Sequence, residues 1–134
     1  MMACANDSPN PALDSGIFVG IELHGRICIL RCEGRFVSGP QIEYMQSKLN
    51  EVKRLRCTHV LADFQGVTSI GSMGIGFLMG IYTSIVSKTG GSFVLAGANP
   101  LVRTVLDLTH LDTVIPLAPD LASGLKLLRA CAEL

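Results

Sequence analysis

A chain of 134 residues, 49% of them apolar, is long enough for one hydrophobic core and too short for two. Eleven basic residues balance eleven acidic ones and only 16% of residues are charged, so no basic stripe is offered to nucleic acid. The same sparse charge implies that part of the surface is apolar and covered by a partner, and nothing in the composition asks for a cofactor.

Residues 1–16, with Asn6, Asp7, Pro9, Asn10 and Pro11, read as a flexible N-terminal tail ahead of one domain over 17–134. The tail lacks the basic and apolar regions of a signal peptide. Ile17–Leu23 reads as a strand, His24-Gly25 as a two-residue turn and Ile27–Cys32 as a second strand, together a hairpin. Gly34 to Pro40 reads as a loop. Gln41–Arg54 carries Ile42, Met45, Leu49 and Val52 at helical spacing, and Pro40 suits the first turn of that helix. Thr58–Phe64 has the continuous apolar character of a strand buried on both faces. No charge occurs between Phe64 and Ser87, yet a membrane span needs roughly 20 mostly apolar residues. Gln65, Gly66, Thr68, Ser69, Gly71 and Ser72 break the run, which predicts a loop and then a buried helix from Met73 to Lys88, without membrane insertion.

Gly90-Gly91 ends that helix, and Ser92–Ala96 is a further buried strand. Asn99 is placed to cap a third helix that starts at Pro100, with Leu101, Val102, Val105, Leu106 and Leu108 on its apolar side. Thr113–Leu117 reads as an edge strand, because Pro116 cannot serve a central ladder. A fourth helix runs from Asp120 to Leu134. The expected fold is a single α/β domain: a mixed sheet, with an N-terminal antiparallel hairpin plus parallel strands, and about four helices.

Little in the chain points to catalysis. His24, His59 and His110 lie in a turn, a buried strand and a helix end, without a nucleophile or second ligand at useful spacing. Glu22, Glu33, Asp63, Asp107 and Asp112 form no acid–base pair, and Asp63 reads as a capping or loop-bonding residue at a strand end. Cys4, Cys28, Cys32, Cys57 and Cys131 are scattered, and Cys28 and Cys32 sit too far apart on a strand to share a metal. Reduced thiols in a cytoplasmic protein are the expectation.

The informative segment runs from Asp63 to Leu78, through Gly66, Val67, Ile70, Gly71, Ser72, Gly74, Ile75 and Gly76. A serine just before an apolar helix can cap it by accepting a bond from a first-turn N–H. The same unpaired N–H groups and the positive end of the helix dipole also favour a phosphate on that hydroxyl. The residue types leave both uses open, the cap being the commoner. The glycines match neither a dinucleotide fingerprint nor a phosphate-binding loop, and read as sites of close backbone approach.

This segment resembles the signature of the STAS family, in which a strand and an aspartate lead to D-S-[ST]-G-[LI]-G and a helix. The similarity covers about residues 17–131 and includes Gly90-Gly91, Phe93-Val94-Leu95, Pro100, Val102, Leu106 and Leu111. It implies an anti-sigma factor antagonist, a binding protein rather than an enzyme. In that reading the unmodified protein binds an anti-sigma factor that is also a serine kinase and so frees the sigma factor. Phosphorylation at Ser72 breaks the contact, and a serine phosphatase resets it. The implied docking surface comprises Arg35, Phe36, Val37 and Ser38 with Thr68, Ser69, Gly71, Ser72, Met73, Gly74, Ile75 and Phe77.

The chain departs from the family pattern at three places. Gly71 stands where the aspartate before the serine is usual, Met73 where a small hydroxyl residue follows it, and Arg35-Phe36-Val37-Ser38 where relatives often carry an acid. Gly71 and Met73 favour an alternative, a non-phosphorylated STAS scaffold subunit of a larger sensory or lipid-transport assembly. In that alternative Met73, Ile75, Phe77 and Met79 make a patch of constant affinity, the equally open reading of the methionines being core filler.

Overall fold

The computed structural model describes residues 17–36, 42–55 and 57–132. Strand β1 (Ile17–His24) and strand β2 (Ile27–Phe36) pair antiparallel. Helix α1 (Ile42–Leu55) leads to β3 (His59–Ile70), α2 (Ser72–Tyr82) and β4 (Ser92–Ala96). Helix α3 (Pro100–Leu108), the short strand β5 (Leu117–Ala118) and α4 (Leu121–Ala132) complete the chain. The sheet order is β1-β2-β3-β4-β5, with every pairing after the first parallel.

Alternation along the strands divides the apolar residues between two faces. Cys28, Leu30 and Cys32 of β2, Val60, Ala62 and Phe64 of β3, and Phe93 and Leu95 of β4 join the larger core. That core is closed by Met45, Leu49 and Val52 of α1, Phe77, Leu78 and Ile81 of α2, and Val102 and Leu106 of α3. On the other face Ile27, Ile29, Leu61, Val94, Ala96 and Ala118 pack with Leu128 of α4. Val60 to Phe64 are all buried, which fits the doubly covered strand expected there. Among the described residues no helix is long and apolar enough to cross a membrane.

Several boundaries differ from the sequence expectation. The hairpin turn is Gly25-Arg26 instead of His24-Gly25: His24 pairs with Ile27, and Gly25 takes φ +66°, which a glycine adopts without steric cost. β2 continues through Gly34 and Arg35 to Phe36, because the expected loop before α2 is itself strand. Arg35 pairs with Ser69 and Phe36 with Ile70 after register shifts at Arg31/Glu33 and Gly34/Arg35. Thus Gln65 to Ile70 extend β3, and the only connector to α2 is Gly71.

Helix α2 starts at Ser72, and its continuation widens to a π-helix over Thr83–Ser87. On α3, Leu101 and Leu108 point outward at 59% and 72% exposure, while Val102 and Leu106 are buried, so the apolar side is narrower than expected. Thr113–Leu117 is not a strand. Leu111–Thr113 forms a 3-10 turn that buries Leu111, and pairing is confined to Leu117–Ala118. Pro116 precedes that strand and only accepts, from the Leu95 N–H at 3.0 Å. The N-terminal tail, Pro40 and the helix end beyond residue 132 lie outside the described residues.

Candidate functional site

The ends of β2 and β3 and the first turn of α2 build one rim. The Gly71 N–H donates to the Phe36 carbonyl at 2.7 Å, and the Gly71 carbonyl accepts from the Ile75 N–H at 3.0 Å. Gly71, with extended backbone, is therefore the N-cap of α2, and among the described residues no side chain caps the helix. This corrects the expectation for Ser72, which is the first helical residue and exposed. Its hydroxyl stands in a first turn without an acidic side chain. The positive end of the helix dipole is thus not offset by a carboxylate of its own first turn.

Packing beneath the rim is tight. A Cβ on Gly74 would fall 2.5 Å from Ile70 Cγ1 and 2.9 Å from the Phe36 carbonyl oxygen, so the close approach predicted for this glycine is to its own sheet. A Cβ on Gly76 would meet nothing within 4 Å. The Phe36 ring lies 5.8 Å from that of Phe64 and 6.4 Å from that of Phe77. These aromatic contacts fasten the end of β2 to β3 and α2.

Burial sorts the expected docking residues. Arg35, Thr68 and Ser72 are exposed, and Ser69, Gly71, Met73 and Ile75 are half-buried. Phe36 (0% exposed) and Phe77 (4%) are core residues, and Gly74 is buried under the rim. Their contribution to any surface is to hold it in place, because alternation along β2 and helical phase along α2 turn them inward. Val37 and Ser38 lie outside the described residues. The expected Met73, Ile75, Phe77 and Met79 patch divides, since residues two apart on a helix do not share a face. Met73 and Phe77 face α1, whereas Met79 is 39% exposed elsewhere.

Two partners of the rim were not legible in the sequence. Met45, Gln46 and Leu49 of α1 join Ser72, Met73, Gly76 and Phe77 around a largely apolar groove of about 230 Å³. The amphipathic phase of α1 marks Met45 and Leu49 as inward but gives no sign of which helix they meet. From the other side Asn99 donates to the Val67 and Thr68 carbonyls at 3.0 and 3.3 Å.

Away from the rim, Asp63 is buried and accepts from the Gln65 N–H at 3.1 Å, with Arg31 at 3.7 Å. This is the loop-bonding role expected of it, on a segment that proves to be strand. Cys28, Cys32 and Cys57 are free and buried. Burial, with Cys57 and Glu51 adding to it, pushes the Cys28 thiol up to about 12. Such thiols are poor nucleophiles. Among the described residues no three His, Cys, Asp or Glu side chains gather to hold a metal.

A five-stranded mixed sheet with an antiparallel first pair, and a serine opening the helix after the central strand, define the class of domain. The chain belongs to the STAS family, whose domain model matches residues 19–124. The anti-sigma F factor antagonist of Paenibacillus polymyxa is 23% identical over 100 residues, covering 74% of this chain and 84% of that protein. An anti-sigma factor antagonist from Mycobacterium paratuberculosis superposes with a TM-score of 0.75 at 22% identity, over 84% of this chain and 94% of that one. The phosphorylated form of the Bacillus cell fate determinant SpoIIAA superposes with a TM-score of 0.59 at 18% identity, over 76% and 92% of the two chains. These structural likenesses establish the shared fold.

Proposed function

We propose that this chain is an anti-sigma factor antagonist working by partner exchange in the cytoplasm. Its unmodified rim docks on an anti-sigma factor that is also a serine kinase, the sigma factor is released, and phosphorylation of Ser72 ends the contact. A serine phosphatase restores it. The observation that carries this reading is the exposed Ser72 hydroxyl in the first turn of α2, beside the apolar groove and next to the end of β2. The names borne by its relatives support the same direction, and so does a family member whose structure is of a phosphorylated form.

The physics of the switch is local. The N–H groups and dipole of α2 stabilise an added dianion in the free protein. In a docked complex the same dianion must lose water against a largely apolar surface, which is costly unless a cation meets it. The free state therefore gains from the modification and the bound state loses.

Incubation with the cognate anti-sigma factor kinase and ATP, followed by mass spectrometry, is expected to place one phosphate on Ser72. Ser72→Glu is expected to bind the unmodified protein's partner at least about tenfold more weakly, roughly 1.4 kcal/mol, with an unchanged circular dichroism spectrum. Phosphate found only on another residue, or equal affinity for Ser72→Glu and Ser72→Ala, defeats the proposal. Gly71 and Met73 favour the second reading, a constitutive scaffold subunit. That reading is supported if affinity purification from the native host returns transporter or sensory subunits and no ATP-binding anti-sigma factor.

A further inference from the structure

The end of β3 is held unevenly. Strand β4 pairs with β3 only from His59 to Asp63, so among the described residues 64–70 have no strand neighbour on that side. On the other side lies β2, whose pairing is interrupted by register shifts at Arg31/Glu33 and Gly34/Arg35. At such shifts a residue is left unpaired and the ladder is locally disrupted. Yet this stretch must be fixed, because it delivers Gly71 to the Phe36 carbonyl and so sets where α2 begins.

Asn99 fills the empty side. Its Oδ1 accepts from the Val102 N–H at 2.8 Å, which caps α3. Its Nδ2 donates to the Val67 carbonyl at 3.0 Å and the Thr68 carbonyl at 3.3 Å. One amide thus uses an acceptor and both donor hydrogens. Serine or aspartate would cap the helix equally well, but neither can donate twice from the same place.

We propose that Asn99 is the positioning residue of the Ser72 rim, holding the end of β3 where β4 no longer pairs with it. The importance given to that rim rests on the docking function proposed above; the mechanical role does not. The Asn99 amide links the start of α3 to Val67 and Thr68, and the backbone then carries the restraint through Ile70 to Gly71 and the first turn of α2.

Amide hydrogen exchange, measured on the free protein without any partner, separates positioning from capping. The wild type is compared with Asn99→Asp and Asn99→Ser, both of which retain an N-cap acceptor. In both variants the Gly71 and Ile75 amides, which bond to the Phe36 and Gly71 carbonyls, are expected to exchange about tenfold faster. The amides of Val102 to Leu106 in α3 are expected to stay within about twofold of wild type. Unchanged exchange at Gly71 and Ile75 in both variants overturns the proposal. Equal acceleration across α3 and the rim also overturns it, since Asn99 would then be a cap alone. A Ser72 that accepts no phosphate would leave this result standing and would count only against the docking function.

Discussion

Two glycines of α2, two residues apart in sequence, differ in the room around them. Gly74 faces Ile70 and the Phe36 carbonyl with no room for a methyl group, so Gly74→Ala is expected to cost about 1–3 kcal/mol in denaturant unfolding. Gly76 faces open space at the groove beside Ser72. Gly76→Ala is expected to raise stability by up to about 1 kcal/mol through helix propensity, while the new methyl weakens partner binding. A Gly76→Ala protein that is both more stable and fully competent to bind would remove Gly76 from the docking surface. His110 is a third case. It is the one non-glycine among the described residues with positive φ, at 61°, and its side chain is exposed. Its backbone supplies the turn contacts, accepting from the Thr113 hydroxyl at 2.6 Å. His110→Gly is therefore expected to raise the unfolding free energy by about 1 kcal/mol, which thermal or denaturant melts would register.

At the scale of elements, the open side of β1 shows how the sheet is closed. Among the described residues β1 is the outer strand, eight residues long and mostly apolar, which is the kind of edge that recruits other chains. Tyr44 of α1 covers it: its hydroxyl accepts from the Val19 N–H at 3.0 Å and lies 3.4 Å from the Val19 carbonyl as donor. Tyr44→Phe is expected to lower stability by about 1 kcal/mol and to make sedimentation concentration-dependent, as freed backbone groups find partners in a second copy. Sedimentation independent of concentration would show that the hydroxyl only stabilises. The elements also show where sequence reading gave out. Gln65 to Ile70 carries glycine, threonine and serine, which resemble a loop, and its strand character comes from pairing with the bulged end of β2. The start of α2 shifted by one residue for a similar reason: the Gly71 N–H is taken by Phe36, a partner far away in sequence. Asn99 as an N-cap was legible, because that role needs only local residues; its two bonds to β3 were not.

For the whole molecule, the two-faced core has a consequence for alkaline stability. Cys28 keeps its proton in the folded state up to about 12, against the usual 9.0, chiefly because burial disfavours the thiolate. Burial raises Cys32 in the same direction. Between those values the unfolded chain releases protons that the folded chain retains. The stabilisation is thus complete below pH 9 and is lost as pH rises towards 12, at roughly 1 kcal/mol per pH unit for each such thiol. Denaturant melts between pH 8 and pH 11 are expected to show this decline, and Cys28→Ala to show a shallower one. Identical slopes for the two proteins would mean that Cys28 contributes nothing to the pH dependence.

The sequence by itself determined the local patterns: apolar runs in β1 and β2, a doubly buried β3 from Val60 to Phe64, helical spacing in α1, and a serine at the start of an uncharged helix. These follow from the chain's own neighbours, so one dimension is enough to carry them. Tertiary structure alone decided that Phe36 and Phe77 turn inward, that Gly71 rather than Ser72 caps α2, and that α1 and Asn99 flank the Ser72 rim. Each of those outcomes depends on which distant backbone or side-chain group fills a hydrogen bond or a packing space, and no local pattern records that choice.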